Sequence, residues 1–208
     1  MSEKRKVFIS FRHNDGNKIK DDLIKYLYEN GYIIDKSEDV DRSVQSEDTI
    51  QAYLFEKLRD SSITIVLLTR NAVNYRRDYF NKIDDWLYDE LRYSLYDRED
   101  NRRNGIIALY TQQAAPLLVQ QSYHKCSNCN RQSVTSILNF DNLVRLNMLN
   151  IKTKYKLNKC ENLYDGNYDS YVSLIKLEDF YNNPKSYLDI AFEKRSKSDQ
   201  YEIRVKMG

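Results

Sequence analysis

The regular alternation of short apolar runs with longer amphipathic segments is the feature that most constrains the fold of this chain. Residues 7–11 and 63–68 are nearly continuous apolar runs, as expected for strands that are buried on both faces of a sheet. Residues 17–30 lie between them and repeat apolar side chains at helical spacing, followed by Gly31. Further strands are predicted at residues 32–35 and 106–110, and further helices at 46–59, where Ser46 would be the N-cap, and at 79–96.

Strands separated by helices of this length predict right-handed βαβ units and a mostly parallel sheet. We therefore expect an α/β fold, a flavodoxin-like three-layer sandwich with four or five strands in the order 2-1-3-4-5. The apolar run at residues 143–146 is the best candidate for the fifth strand.

The second half of the chain has weaker patterns. Residues 111–135 are polar with little periodicity, and residues 150–167 indicate an irregular insertion. Residues 168–194 predict two helices separated at Pro184, and the last residues predict a short strand over 201–205. We expect residues 1–150 to form the main domain, and residues 151–208 to form a helical and irregular C-terminal extension packed on it.

Charge and hydropathy limit the partners of this protein. The 208 residues include 33 basic and 31 acidic side chains, so the net charge is only +2. Such a balance does not favour nucleic acid or an anionic membrane as the main partner. No apolar run approaches the roughly 20 residues that span a bilayer. Three cysteines do not suggest a disulfide framework, and we expect a cytoplasmic protein.

The predicted sheet places candidate binding residues at one edge, because ligands of open α/β sheets bind beyond the carboxyl ends of the strands. Phe11, Arg12 and His13 follow the first strand, the polar loop 36–45 follows the second, and Thr69 and Arg70 follow the third. His13 could serve as a proton shuttle or be an ordinary turn histidine.

Glu90 is the most unusual residue of the third predicted helix. It lies four residues after Trp86, the only tryptophan, at the margin of an apolar helical stripe. A carboxylate beside buried apolar surface costs free energy unless it is paired, solvated or functional. From the residues alone, Glu90 is either a functional acid or a solvated helix-face acid paired with Arg92, Arg98 or a neighbouring element.

Two short motifs resemble a known family. Residues 6–11, KVFISF, resemble the opening strand of TIR domains, most closely the bacterial group that includes the TIR proteins of Thoeris anti-phage systems. Residues 86–90, WLYDE, resemble the W-x-x-x-E element that holds the catalytic glutamate of NAD-consuming TIR domains. The strand at 62–69 and the basic turn at 71–77 are also similar to that group, and the resemblance extends over residues 5–147.

The resemblance implies an enzyme that breaks the nicotinamide glycosidic bond of NAD⁺, with Glu90 as the catalytic residue. NAD⁺ would be the substrate, and no other cofactor is implied. Such cleavage passes through an oxocarbenium-like centre that a carboxylate stabilises, as in glycoside hydrolysis. The other residues that would bind the substrate are Phe11, Arg12, His13, Asp39, Arg42 and Trp86.

The resemblance also implies a biological setting. The product would be an ADP-ribose-derived messenger, such as a cyclic ADP-ribose isomer, that a separate effector protein reads, and the enzyme could form a homo-oligomer. A non-enzymatic TIR adaptor is the main alternative, because the acidic loop at 37–46 lacks the glycine and proline of animal TIR domains. A phosphoacceptor receiver domain is disfavoured because the third strand ends in Thr69 and Arg70, whereas a nucleoside deoxyribosyltransferase-like activity remains a minor alternative.

The cysteines form the last candidate site. His124, Cys126, Cys129 and Cys160 are four possible zinc ligands of suitable type. A single C-x-x-C is only half of a zinc signature, and the position of Cys160 matches no common spacing. A thioredoxin-like redox pair is disfavoured, since no strand-to-helix turn contains the motif. The interpretation preferred from sequence is therefore free thiols in a loop and no metal.

Overall fold

The computed structural model describes residues 4–37, 47–73, 86–97, 102–140, 142–160 and 162–207. Its centre is a five-stranded sheet in the order β2-β1-β3-β4-β7, and a separate two-stranded antiparallel sheet pairs β5 with β6. All neighbouring strands of the large sheet are parallel. The strands are β1 (Arg5–Ser10), β2 (Ile33–Asp35), β3 (Ile63–Leu68), β4 (Gly105–Tyr110), β5 (Val119–Lys125), β6 (Gln132–Leu138) and β7 (Val172–Lys176).

Helices cover both faces of the large sheet and complete three layers. One face packs against α1, α6 and α7, and the other packs against α2, α3, α4 and α5. The predicted flavodoxin-like α/β sandwich is therefore confirmed. The helices are α1 (His13–Glu29), α2 (Glu47–Arg59), α3 (Trp86–Leu95), α4 (Ala115–Leu118), α5 (Leu143–Leu146), α6 (Leu177–Asn182) and α7 (Pro184–Ser196).

The central strand β3 shows how the sequence produces these layers. All six of its residues are buried, as the continuous apolar run predicts. Side chains alternate across a strand, so Ile63 and Ile65 face the α1 and α7 side, whereas Val66 and Leu68 face α3. The strand therefore needs apolar side chains on both faces.

The predicted fifth strand at residues 143–146 is wrong, because these residues form helix α5. A four-residue apolar run does not distinguish strand from helix. The preceding Asn142 decides the outcome, since its side-chain oxygen accepts a hydrogen bond from the amide of Arg145 and caps the helix. The fifth strand is β7, which lies within residues 168–194, where the sequence predicts two helices.

Three further differences concern the second half. Residues 119–138 form the β5–β6 hairpin instead of an irregular polar region. The predicted strand at 201–205 is absent from the described residues, where Tyr201 makes only an isolated bridge to Ile151. The two predicted helices exist as α6 and α7, and Pro184 lies in the first turn of α7, where its missing amide costs no hydrogen bond.

The residues after 150 are built into the same sheet. Strand β7 pairs with β4 along its length, and α7 packs against β4 so closely that Gly105 leaves no space for a side chain. Lys194 of α7 is buried and donates hydrogen bonds to the carbonyl oxygens of Asn167 and Ser170 and to the hydroxyl of Ser173. Within the described ranges, no helix has the length and apolar character needed to cross a membrane.

Candidate active site

Glu90 lies on the buried side of α3, where the helix contacts the sheet. Its neighbours Leu87 and Leu91 belong to the core, and Glu90 itself is only 8% exposed. This burial contradicts a solvated acid on the outer helix face, whereas an acid with a structural role, paired with a neighbouring element, remains an alternative. Arg92 is exposed, and Arg98 lies outside the described residues.

Ser10 is the direct partner of Glu90. Its hydroxyl donates a hydrogen bond of 2.5 Å to Oε2 of the Glu90 carboxylate, and both side chains are buried. Ser10 is the last residue of β1, and its side chain lies on the same face as Phe8, which packs towards α2 and α3. Glu90 is thereby held at the carboxyl end of β1, the strand that lies between β2 and β3 and at which the strand order reverses.

A row of hydrogen-bonded polar side chains anchors α3 to the sheet behind Glu90. The Ser94 hydroxyl donates its one hydrogen to the backbone oxygen of Glu90 at 2.8 Å. It can therefore only accept from the hydroxyl of Thr64, which lies 2.8 Å away. The amide of Asn104 donates to Thr64 at 3.1 Å and to the carbonyl of Leu58 at 3.1 Å. These hydrogen bonds fix one position of the helix, and among the described residues only the side-chain oxygen of Asn104 in this row is buried without a partner.

Further hydrogen bonds connect the loops at the same edge of the sheet. Thr69, which follows β3, donates to Oδ1 of Asp15 in the first turn of α1 at 2.6 Å, and the amide of Asn71 donates to Oδ2 of the same carboxylate at 3.3 Å. The Ser37 hydroxyl after β2 accepts from the amide of Ile9 at 2.9 Å. The ends of β1, β2 and β3 are thus held together around Glu90.

Phe11 and Arg12 follow β1 directly and are both half-buried. The Phe11 ring lies against the first turn of α1, because a Cβ atom on Gly16 would be 3.0 Å from its Cδ2 atom. The ammonium group of Lys20 lies 5.2 Å from the centre of the ring. Phe11 therefore packs on α1, and its role in substrate binding stays a prediction.

The side chains of the other predicted substrate-binding residues lie outside the described part of the structure. His13 and Trp86 are the first residues of α1 and α3, but their side chains lie outside the described part. Asp39 and Arg42 fall in the range 38–46, which is also outside it. Their roles remain predictions.

The fold brings three of the four candidate metal ligands together and leaves the fourth apart. Sulfur atoms of Cys126, Cys129 and Cys160 lie within 4.8 Å of one another. His124 does not join them, because its Nε2 atom lies 3.2 Å from the hydroxyl of Thr135 and its ring packs on Tyr164. The three cysteines are free thiols in loops, as the sequence predicts, and they cluster from two segments of the chain.

A family model described as TIR domain matches residues 7–137, which is more than half of the chain. The chain belongs to the TIR domain family. Among solved structures, it is similar to the TIR domains in the structure of the activated Roq1 resistosome directly recognizing the pathogen effector XopQ, with 21% sequence identity and a TM-score of 0.38. That match covers 52% of this chain and 58% of the other chain.

Two residues of this TIR domain site were missed in the sequence. Ser10 ends an apolar strand, and a hydroxyl at the carboxyl end of a buried strand is a signal that could have identified it. Ser94 lies four residues after Glu90 and therefore on the same helix face, next to the sheet. The pairing of Asp15 with Thr69 could not be predicted, because it depends on how two loops meet.

Proposed function

We propose that this TIR domain cleaves the bond between nicotinamide and ribose in NAD⁺, with Glu90 as the catalytic carboxylate. The observation that supports this proposal is the burial of Glu90 beside Ser10 at the carboxyl edge of the sheet, at the end of the strand that lies between β2 and β3. Ligands of such sheets bind at this position. A carboxylate held there is placed to act on a bound nucleotide.

The chemistry needs a negative charge and a defined geometry. When the glycosidic bond breaks, its electron pair goes to the pyridinium nitrogen, and nicotinamide leaves as a neutral molecule. Positive charge develops on the ribose carbon and ring oxygen, and a fixed carboxylate stabilises it. The acceptor, either water or a nucleophilic atom of the nucleotide, then forms the new bond and loses its proton if it has one. No strong general acid is required.

Ser10 acts in this mechanism as a positioning residue. Its hydrogen bond holds Oε2, and an ionised carboxylate accepts about four hydrogen bonds in total. Bonding to Ser10 is therefore compatible with further bonds from ribose hydroxyl groups. The anchored row behind Glu90 fixes the position of the helix, and the bond from Ser10 holds the carboxylate, which together preserve a geometry close to that of the transition state.

The substrate-binding set completes the proposal. Phe11 and Arg12 would contact the nucleotide at the end of β1, with His13, Asp39, Arg42 and Trp86 as further contacts. NAD⁺ is the substrate in this account and not a resident cofactor.

The proposal also includes a biological role for the reaction. The resemblance of residues 6–11 to the group that includes the Thoeris TIR proteins, with that of residues 86–90 to NAD-consuming TIR domains, supports a cytoplasmic enzyme of bacterial anti-phage defence. Its product would be an ADP-ribose-derived signalling nucleotide, a cyclic isomer or a conjugate, that a separate effector protein binds. Assembly into a homo-oligomer would complete or activate the site.

A non-enzymatic adaptor is the second candidate. The chain has 18 tyrosines, and Tyr28, Tyr96, Tyr123 and Tyr168 are exposed. Tyrosine is enriched at protein interfaces, so these side chains favour contacts with partners. In this alternative, the buried Glu90 has only a structural role.

Product analysis by mass spectrometry separates the two candidates. The purified protein is incubated with NAD⁺, alone and with lysate from phage-infected cells. We expect release of nicotinamide together with an ADP-ribose-derived product. If NAD⁺ remains intact under both conditions, the adaptor is favoured and the enzymatic proposal fails.

A further inference from the structure

The three cysteines of this chain meet at one place although they come from distant segments. Cys126 and Cys129 lie in the turn between β5 and β6, and Cys160 belongs to the irregular segment before β7. The sulfur atoms of Cys129 and Cys160 are 3.4 Å apart, and all three lie within 4.8 Å of one another. Cys126 is buried, Cys160 is half-buried and Cys129 is exposed.

The hairpin turn has the geometry of a metal-binding knuckle. The amide of Asn130 donates to the carbonyl of Cys126, and the amide of Cys126 donates to the carbonyl of Arg131. Asn130 closes the turn with a positive φ of 55°. Amide groups of Asn128 and Cys129 point at the Cys126 sulfur and donate hydrogen bonds to it. Such amides stabilise a thiolate, which is the form that binds metal.

Cys160 is held in place by its own set of contacts. Its amide donates to the side-chain oxygen of Asn158 at 3.0 Å, and its carbonyl accepts from the ammonium group of Lys156 at 3.0 Å. Lys156 is buried, and its ammonium lies 3.8 Å from the centre of the Tyr164 ring. The amide of Tyr164 donates to Ser133 of β6, which connects this segment to the hairpin.

We propose that Cys126, Cys129 and Cys160 together bind one thiophilic divalent metal ion, with zinc as the natural occupant. A zinc–sulfur bond is about 2.3 Å, so tetrahedral ligation places sulfur atoms roughly 3.8 Å apart. The separation of 3.4 Å between Cys129 and Cys160 is close to this value, and the other two separations are within 4.8 Å. A disulfide needs sulfur atoms about 2.05 Å apart and would leave one of the three thiols unused.

The surroundings suit a three-thiolate site with an open fourth position. On binding, three thiols release three protons to solvent, so the metal and its ligands have a net charge of −1. Arg131 and Lys159 line the adjoining cavity of about 830 Å³ and offset this charge. His124 is hydrogen-bonded to Thr135 and does not supply a fourth ligand. Water can reach the fourth position through the cavity.

Metal bound here would join the β5–β6 hairpin to the segment around Cys160. This proposal is independent of the reaction at Glu90, because none of its residues belongs to that site.

Cobalt titration of the full chain tests the proposal. The protein is stripped with a chelator under reducing conditions and titrated with Co²⁺, and absorption is followed in the near ultraviolet and the visible. We expect thiolate-to-cobalt charge-transfer bands and tetrahedral d–d bands that saturate at one ion per chain and disappear on addition of Zn²⁺. Absence of a charge-transfer band in the wild-type protein would overturn the proposal.

Variants identify the ligands. Cys129→Ser and Cys160→Ser should each lower the charge-transfer intensity by about a third or more and weaken binding at least 10-fold. His124→Ala should keep the bands of the wild type. Unchanged bands in Cys160→Ser, or their loss in His124→Ala, would contradict the three-thiol assignment. The wild-type titration decides the question even if a cysteine variant does not fold.

Discussion

The hydroxyl of Ser10 and the carboxylate of Glu90 lie 2.5 Å apart, although 80 positions separate them in the chain. Their meeting follows from the topology, because β1 lies beside β3 in the sheet and the helix after β3 packs on the face of β1 where Ser10 points. A strand end and a helix face thus form a site that neither segment could form alone.

Ser10→Ala removes the donor that holds Oε2 of Glu90. We expect the rate of NAD⁺ cleavage to fall about 10- to 100-fold, because a misplaced catalytic group costs that much, while the protein remains folded. Steady-state release of nicotinamide measures the effect. Ser62→Ala is the matched control, since its hydroxyl bonds to the Lys6 carbonyl before β3 and its loss should leave the rate unchanged. Equal rates for Ser10→Ala and wild type would contradict the positioning role.

Thr64→Val keeps the shape of a buried side chain but removes the hydroxyl that links Ser94 to Asn104. We expect a loss of about 2 kcal/mol in the free energy of unfolding, because two buried polar groups lose a partner. Urea unfolding measures it. Adding Ser94→Ala should cost less than the sum of the two single changes, by about 1 kcal/mol. Simple additivity would show that the two hydroxyls are not coupled.

Gly105→Ala tests whether the C-terminal helix α7 is part of the main fold. A Cβ atom at this position would lie 2.0 Å from the carbonyl oxygen of Ala191, which is backbone and cannot rotate away. We expect a loss of about 4 kcal/mol or more, or an insoluble protein. Gly166→Ala is the matched control, since nothing lies within 4 Å of the added atom. Comparable thermal unfolding of both variants would contradict the packing of α7 on β4.

Lys194→Met tests a pH dependence of stability. Burial lowers the pKa of Lys194 to about 7 from its ordinary value of 10.5. Between these two values the unfolded chain binds more protons than the folded one, so this group makes the wild type more stable as pH rises. The neutral amine keeps its contacts, because the Ser173 hydroxyl can turn from the carbonyl of Asn167, to which it donates, and donate to the amine instead.

The corresponding measurement compares the two proteins by urea unfolding at about pH 6 and about pH 9. The stability advantage of wild type over Lys194→Met should grow by about 2 kcal/mol across this range. An advantage that shrinks with rising pH would show that the pKa of Lys194 is not lowered in the folded protein.

The first half of the fold could be predicted from sequence because its signals are local. Residues 63–68 have an unbroken apolar run, and residues 17–30 have a clear helical period, so the burial of each segment is visible in the sequence itself. Strand order then follows from general rules on βαβ connections.

The second half depends on contacts that a sequence pattern does not show. Residues 143–146 are apolar in a way that suits either a strand or a helix, and the Asn142 cap selects the helix. Strand β7 is recognised only by its pairing with β4. The candidate site could likewise be predicted only in part. Glu90 stands out in the sequence, whereas its partner Ser10 is recognised only once the fold is known.

The most direct test of the central claim is nicotinamide release from NAD⁺ by wild type, Glu90→Gln and Glu56→Gln. Glutamine preserves the size of the side chain but removes the charge, and Glu56 is an exposed acid on α2 that serves as control. We expect Glu90→Gln to be folded and at least about 100-fold slower, with Glu56→Gln equal to wild type. Turnover by Glu90→Gln at the rate of wild type would contradict the catalytic role of Glu90.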